Sequence, residues 1–365
     1  MNCKGTRLAF ALVVAMPFGI VGGQAAHPDS ARIHSGEIAA FWRAVDRAAG
    51  KDTAALVAAL RDGYLASPSP GLTDWIFSRL MSRDAVMKEI ATKGWDQARA
   101  LRAFQGPATS PERSAFDSVV MPVARQSAAT NLARKYLARR QYYDGIRANT
   151  LAVDTARGVK DSVRAAFQRL EAIYPEASYA DVYFLIGRMN SGGTTSGPRL
   201  LIGTEIFARD SATPIGELNA WERAVTGEIR HLPHIVAHEF AHTLQGSRRG
   251  SRPLLAAALG EGSADFIAEL ISGSHIINPA YAYGDAHEQE LWTEFKSAMD
   301  GEDTSNWLYE GDRATGRPAD LGYWMGYRIA RAYYERATDK RAAVKEILEF
   351  RDPKGFLAAS GYGKP

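Results

Sequence analysis

His238-Glu239-Phe240-Ala241-His242 places two imidazoles four residues apart with a carboxylate between them. On an α-helix, positions i and i+4 share a face, so both imidazoles can reach one ion. Glu239 lies about 100° round the axis from His238 and can touch a water on that ion without binding the ion itself. This is the H-E-x-x-H pattern, in which two histidines hold zinc and the glutamate acts as general base. A catalytic zinc takes three protein ligands and leaves one position open, and two histidines with one glutamate are an established set. Glu261, nineteen residues beyond His242, is the candidate third ligand. Asp265 falls one turn further along the same face. There it can accept the outer N–H of a ligating histidine, fixing its tautomer and raising its basicity.

These side chains need two helices. Pro233 can open the first, since its missing N–H costs nothing there, and Gly246 suits its end. Ile235, Val236, Phe240 and Leu244 would anchor it. The spacing of Phe266, Ile267, Leu270 and Ile271 predicts the second helix, carrying Glu261 and Asp265. Upstream, Ala180–Gly187 and Arg199–Gly203 read as strands, separated by a flexible loop over Asn190–Pro198. A small sheet there could receive an extended chain at its edge. Gly216–Arg230 reads as a helix, as do Leu321–Ala337 and Arg341–Phe350. Ile33 to Leu170 reads as a succession of amphipathic helices, with Phe41, Trp42, Val45 and Ala48 on one apolar face. Arg134-Lys135 and Arg139-Arg140 read as a solvated helix face, and Arg248-Arg249 with Arg252 as a solvated loop. His231 and His234 read as polar neighbours rather than a second metal site.

The run from Glu261 to Asp265 after H-E-x-x-H resembles the gluzincin zinc metallopeptidases, whose pattern is HExxH…ExxxD. Narrowly, it is similar to a bacterial family of zinc-dependent proteases with E-G-x-A-[DE] around the glutamate and a G-Y-x-x-G-Y-like segment near the C-terminus. Here that segment is Gly322-Tyr323-Trp324-Met325-Gly326-Tyr327. The likeness runs from near Asp181 to the end and does not reach the first half. It implies an α+β, predominantly helical fold, with a zincin-like catalytic part and a small sheet beside the HExxH helix. It also implies a tyrosine facing the zinc to stabilise the oxyanion: Tyr323, with Tyr327 on the same face as the alternative.

The chain has 365 residues, 46% hydrophobic and 23% charged, as in an ordinary soluble protein. Lys4 and Arg7 precede an apolar run from Leu8 to Val21, and Gly23-Gln24-Ala25 offers small residues for cleavage. This predicts a signal peptide over residues 1–25, a helical region over 26–175 and the metallopeptidase domain over 176–365. The lone Cys3 precedes the apolar run, so the mature chain would carry no cysteine, and hence no disulfide or thiolate ligand. Losing Lys4 and Arg7 takes the formal charge from +3 to +1, which gives nucleic acid no electrostatic footing.

The expectation is therefore an exported peptidase, periplasmic or secreted, with no membrane span after cleavage. One Zn2+ would be held by His238, His242 and Glu261. Glu239 would be the general base on a zinc-bound water, Tyr323 would assist, and the substrate would be a peptide or protein. Two rivals stand beside it: a non-catalytic exported envelope protein with a structural metal site, and a zinc hydrolase of a non-peptide amide. Glu239 argues against the first, because a structural site needs no general base.

Overall fold

The computed structural model describes residues 24–107, 109–156, 158–245, 252–275 and 278–363. The expected leader lies outside these residues up to position 23. Ala25, at its far end, pairs with Tyr179 through two 2.8 Å backbone hydrogen bonds.

The chain is predominantly helical around a small mixed sheet, an α+β arrangement. Strands β1 (Ile33–His34), β2 (Asp181–Leu185) and β4 (Arg199–Gly203) run parallel, and β3 (Gly193–Ser196) lies antiparallel beyond β4. The order is β1-β2-β4-β3, with Val182 opposite Leu200 and Phe184 opposite Ile202. All of β2 is buried, which explains its continuous apolar run: a parallel strand covered on both faces has no polar side. The expected flexible loop over Asn190–Pro198 is corrected, since its β-branched pair Thr194-Thr195 forms strand β3. Gly197, at φ 54°, turns that strand back onto β4.

Helices α1 to α5 lie between residues 36 and 105. Helices α6 (Pro111–Ala138), α7 (Arg140–Thr155) and α8 (Gly158–Ile173) follow before the sheet. The first of all, α1 (Gly36–Arg47), buries Ile38, Phe41, Trp42 and Val45 as its periodicity predicts. The regions on either side of residue 175 share the sheet, because β1 pairs with β2. Tyr64 reinforces this by donating to the Ile186 carbonyl at 2.8 Å.

After the sheet come α9 (Ala220–Val225), α10 (Leu232–Leu244), α11 (Leu254–Ser272), α12 (Pro279–Ala286), α13 (Glu288–Ala298), α14 (Leu321–Arg336), α15 (Lys340–Glu349) and α16 (Pro353–Ser360). The helix expected over Gly216–Arg230 is corrected to α9 alone, which starts at an Asn219/Glu222 capping box. It stops because Gly227 donates its N–H to the Ile206 carbonyl at 2.8 Å instead of continuing the turn. The solvated-face expectation also fails for two of its four cations. Lys135 and Arg139 donate to Glu222 at 2.9 and 2.7 Å, and that carboxylate is only 1% exposed. This clasp ties α6 to α9.

Helix α10 is anchored by Phe240, whose ring lies 4.5 Å from Phe167 and 5.4 Å from Tyr179. Helix α11 ends at Gly273, a left-handed cap at φ 72°. Helices α11 and α14 touch backbone to backbone: a Cβ at Gly262 would sit 2.0 Å from the Tyr327 nitrogen, and one at Gly326 would sit 1.9 Å from the Ala258 carbonyl oxygen. Backbone cannot yield as a side-chain tip can. Gly326→Ala is therefore expected to cost about 3 kcal/mol, the upper end for overpacking a core, read as a lowered urea midpoint. An unchanged midpoint would mean the helices separate freely.

Candidate metal centre

Helix α10 brings His238 and His242 onto one face, and α11 carries Glu261 to meet them. The two Nε2 atoms are 3.0 Å apart, and Glu261 Oε2 lies 3.7 Å from His238 Nε2 and 3.2 Å from His242 Nε2. Four ligands at zinc bond lengths of about 2.0–2.1 Å define a tetrahedron with edges of about 3.3 Å, so these separations match three of its corners. Among the described residues, these three form the one set of ligand atoms close enough to hold an ion together.

The outer shell fixes which nitrogen faces the cluster. His238 Nδ1 lies 2.6 Å from Asp265 Oδ1, the contact expected from the sequence. An ionised carboxylate only accepts, so Nδ1 carries the proton and Nε2 presents its lone pair. His242 has a partner the sequence reading missed: its Nδ1 lies 2.9 Å from Gln245 Oε1, while Gln245 Nε2 donates to the Gly260 carbonyl at 2.8 Å. That second bond identifies Oε1 as the acceptor end and fixes the second tautomer too. The i+3 spacing from His242 at a helix end was the available signal. The two Nε2 atoms and Glu261 Oε2 thus converge with the Nδ1 protons turned away, a donor set that could hold a cation. Burial opposes charge on both imidazoles, yet Asp265 and Glu261 hold the His238 pKa well above its ordinary value, and Glu261 holds that of His242 up. Burial alone would raise Glu261, but the two histidines hold it well below the usual carboxylate range.

Glu239 faces this cluster from the same helix. Gly193 of β3 lies against it so closely that a Cβ there would fall 2.5 Å from Glu239 Cγ. No described residue hydrogen-bonds its carboxylate, and burial raises its pKa, partly offset by His238, His242 and Arg79. Of the two candidate tyrosines, Tyr323 is beside the cluster: its ring lies 6.2 Å from that of His238 at an interplanar angle of 18°. Tyr327 turns away and donates to Glu269 at 2.8 Å. Tyr281 donates to Asp265 from behind. Tyr309, which no sequence signal marked, donates to Glu261 Oε1 at 2.7 Å.

His234 stays apart as expected. Its Nδ1 lies 2.7 Å from the Ser274 carbonyl, and burial pushes its pKa down to about 4. Arg248 and Arg249, with Gly246, lie outside the described residues.

A family model described as gliding motility protein GldB matches residues 111–364. The chain belongs to that family. The match covers more than two thirds of the chain and crosses the boundary expected at residue 175. It corrects the peptidase reading: the gluzincin resemblance, and with it the protease and metalloprotease expectation, gives way to the GldB family. The physical reason is that HExxH with a distant glutamate specifies how two helices can cage a cation, and ligand spacing alone does not identify a lineage. The family is one of lipoproteins, in keeping with an exported chain. No curated protein and no solved structure matches the chain. Among the described residues, no helix is long and apolar enough to cross a membrane.

Proposed function

We propose that this GldB-family protein is a non-catalytic, envelope-associated component of a gliding-motility apparatus, exported to the periplasmic side, in which one zinc ion ties α10 to α11. The observation that carries the metal is the convergence of His238 Nε2, His242 Nε2 and Glu261 Oε2, with both Nδ1 atoms committed to outer partners. Nitrogen and carboxylate donors in a compact set of three suit zinc among common cations. The ion's role in this reading is to clamp the two central helices, so that the helical surface offered to protein partners keeps one shape. The zincin-like placement of the edge strand β3 beside α10 then serves the clamp by closing one wall of the site.

A second reading, hydrolysis of a non-peptide amide in an envelope component, is favoured by Glu239, whose carboxylate hydrogen-bonds to no described residue and faces the cluster. A bound zinc would polarise a carbonyl and acidify water. Glu239 would accept and return the proton.

Complementation of a deletion strain separates the two. His238→Ala is expected to fail in gliding and to lose bound zinc. Glu239→Gln is expected to keep zinc, fold and gliding, since a clamp has no use for a base. Loss of gliding in a Glu239→Gln protein that retains full zinc would replace the clamp with the hydrolase. Wild-type protein purified without zinc, and unable to take it up, would remove both.

A further inference from the structure

Three of the four described non-glycine residues at positive φ lie in one segment between α13 and α14: Asn306 at 66°, Tyr309 at 61° and Asp320 at 64°. Side chains avoid this region, so such residues persist only where the surroundings over-determine them, and they gather at functional sites. The surroundings here are explicit. Asp320 Oδ1 accepts from the Glu310 N–H at 3.0 Å, Arg313 Nη2 donates to the Tyr309 carbonyl at 2.6 Å, and Arg317 Nη2 donates to the Asn306 carbonyl at 2.9 Å. The effect of this bracing is to hold the Tyr309 hydroxyl 2.7 Å from Glu261 Oε1, the oxygen turned away from the imidazoles.

We propose that Tyr309 is a positioning residue that makes Glu261 a one-oxygen metal ligand. This inference rests on the metal-centre reading above. A free carboxylate can bind a cation through one oxygen or two. A phenol donating to Oε1 engages that oxygen's lone pair and fixes the plane of the group, so only Oε2 turns towards the histidines. The site keeps three protein donors and a compact geometry, and its coordination number does not drift upward. Tyr323 does not share the task, because its hydroxyl makes no hydrogen bond to a described residue.

The test uses the full mature protein and two metals. Tyr309→Phe keeps the ring and removes only the hydroxyl. Zinc affinity is expected to fall on the order of 10–100-fold, as when other outer-shell partners are removed. The cobalt-substituted protein is expected to lose visible absorption intensity as Glu261 becomes bidentate and the coordination number rises. Tyr327→Phe, which deletes a hydroxyl bound to Glu269, is expected to change neither readout. Arg313→Ala, on the exposed side of the loop, is a fold-safe second variant expected to move both readouts the same way by less. A wild type that binds neither zinc nor cobalt sinks the metal centre, and Tyr309 with it. A wild type with an intense four-coordinate cobalt spectrum, unchanged in affinity and spectrum by Tyr309→Phe and Arg313→Ala, overturns the Tyr309 assignment alone.

Discussion

Removing zinc is expected to lower the melting midpoint by about 5 °C, and His242→Ala is expected to abolish the difference between zinc and chelator. A ligand that binds only the folded state stabilises it by mass action, by about 4 kcal/mol when free zinc is a thousandfold above Kd. With an unfolding entropy of about 2.1 cal/mol/K per residue, each kcal/mol moves the midpoint of a chain this long by about 1.3 °C. The folded state is required because the three donors come from two helices: His238 and His242 from α10, and Glu261 from α11. The unfolded chain holds no such triangle. His242 is the better variant because its imidazole is 24% exposed, so its truncation disturbs packing less than that of His238, at 11%. Calorimetry with zinc and with chelator gives four curves. The wild-type pair should separate and the His242→Ala pair should coincide, whatever the variant's own midpoint. A superimposed wild-type pair would mean that no ion is held.

Glu205→Ala is expected to cost about 4 kcal/mol, although the residue lies outside the metal centre. The Glu205 carboxylate is fully buried and accepts the backbone N–H groups of Gly187 at 2.8 Å and Met189 at 3.0 Å. Met189 is itself held at φ 55°. Each buried donor left without a partner costs about 1–3 kcal/mol, and alanine abandons two. A pH signature accompanies this. Burial pushes the carboxyl up to about 7 from 4.5, against the backbone N–H groups that favour the charged form. A folded-state pKa above the unfolded value means that the folded state binds the proton more tightly. The resulting stability is fully present below pH 4.5 and is lost as pH rises towards 7, about 3 kcal/mol over that window. Glu205→Gln has no carboxyl to titrate. The advantage of wild type over this variant should therefore shrink between pH 4.5 and 7.5 in denaturant titrations. A constant difference would mean that the backbone donors keep Glu205 ionised throughout.

The parts of the site that follow from short-range periodicity were legible in the sequence. Four-residue spacing put His238 and His242 on one face, and the same spacing put Asp265 behind Glu261. Pro233 marked the first turn of α10, and the apolar run of β2 marked a covered strand. Gln245 was readable by the same rule, as a polar side chain three residues beyond a ligand at a helix end, and was missed. Lys135 and Arg139 looked like solvent cations because nothing local reveals Glu222, more than eighty residues away. The family was not legible either, since the ligand pattern is a short geometric motif.

By itself, the sequence determined a helical chain with a small buried sheet and the three donors able to share a cation, because helix and strand periods are local properties of the backbone. Only the tertiary structure decided that both imidazole tautomers are fixed from outside, that Tyr323 and not Tyr327 lies beside them, and that Tyr309 reaches Glu261. Those depend on the contact of α11 with α14 through Gly262 and Gly326, and on a loop held in left-handed conformations by hydrogen bonds from distant residues. Such couplings exist only once the chain has closed on itself.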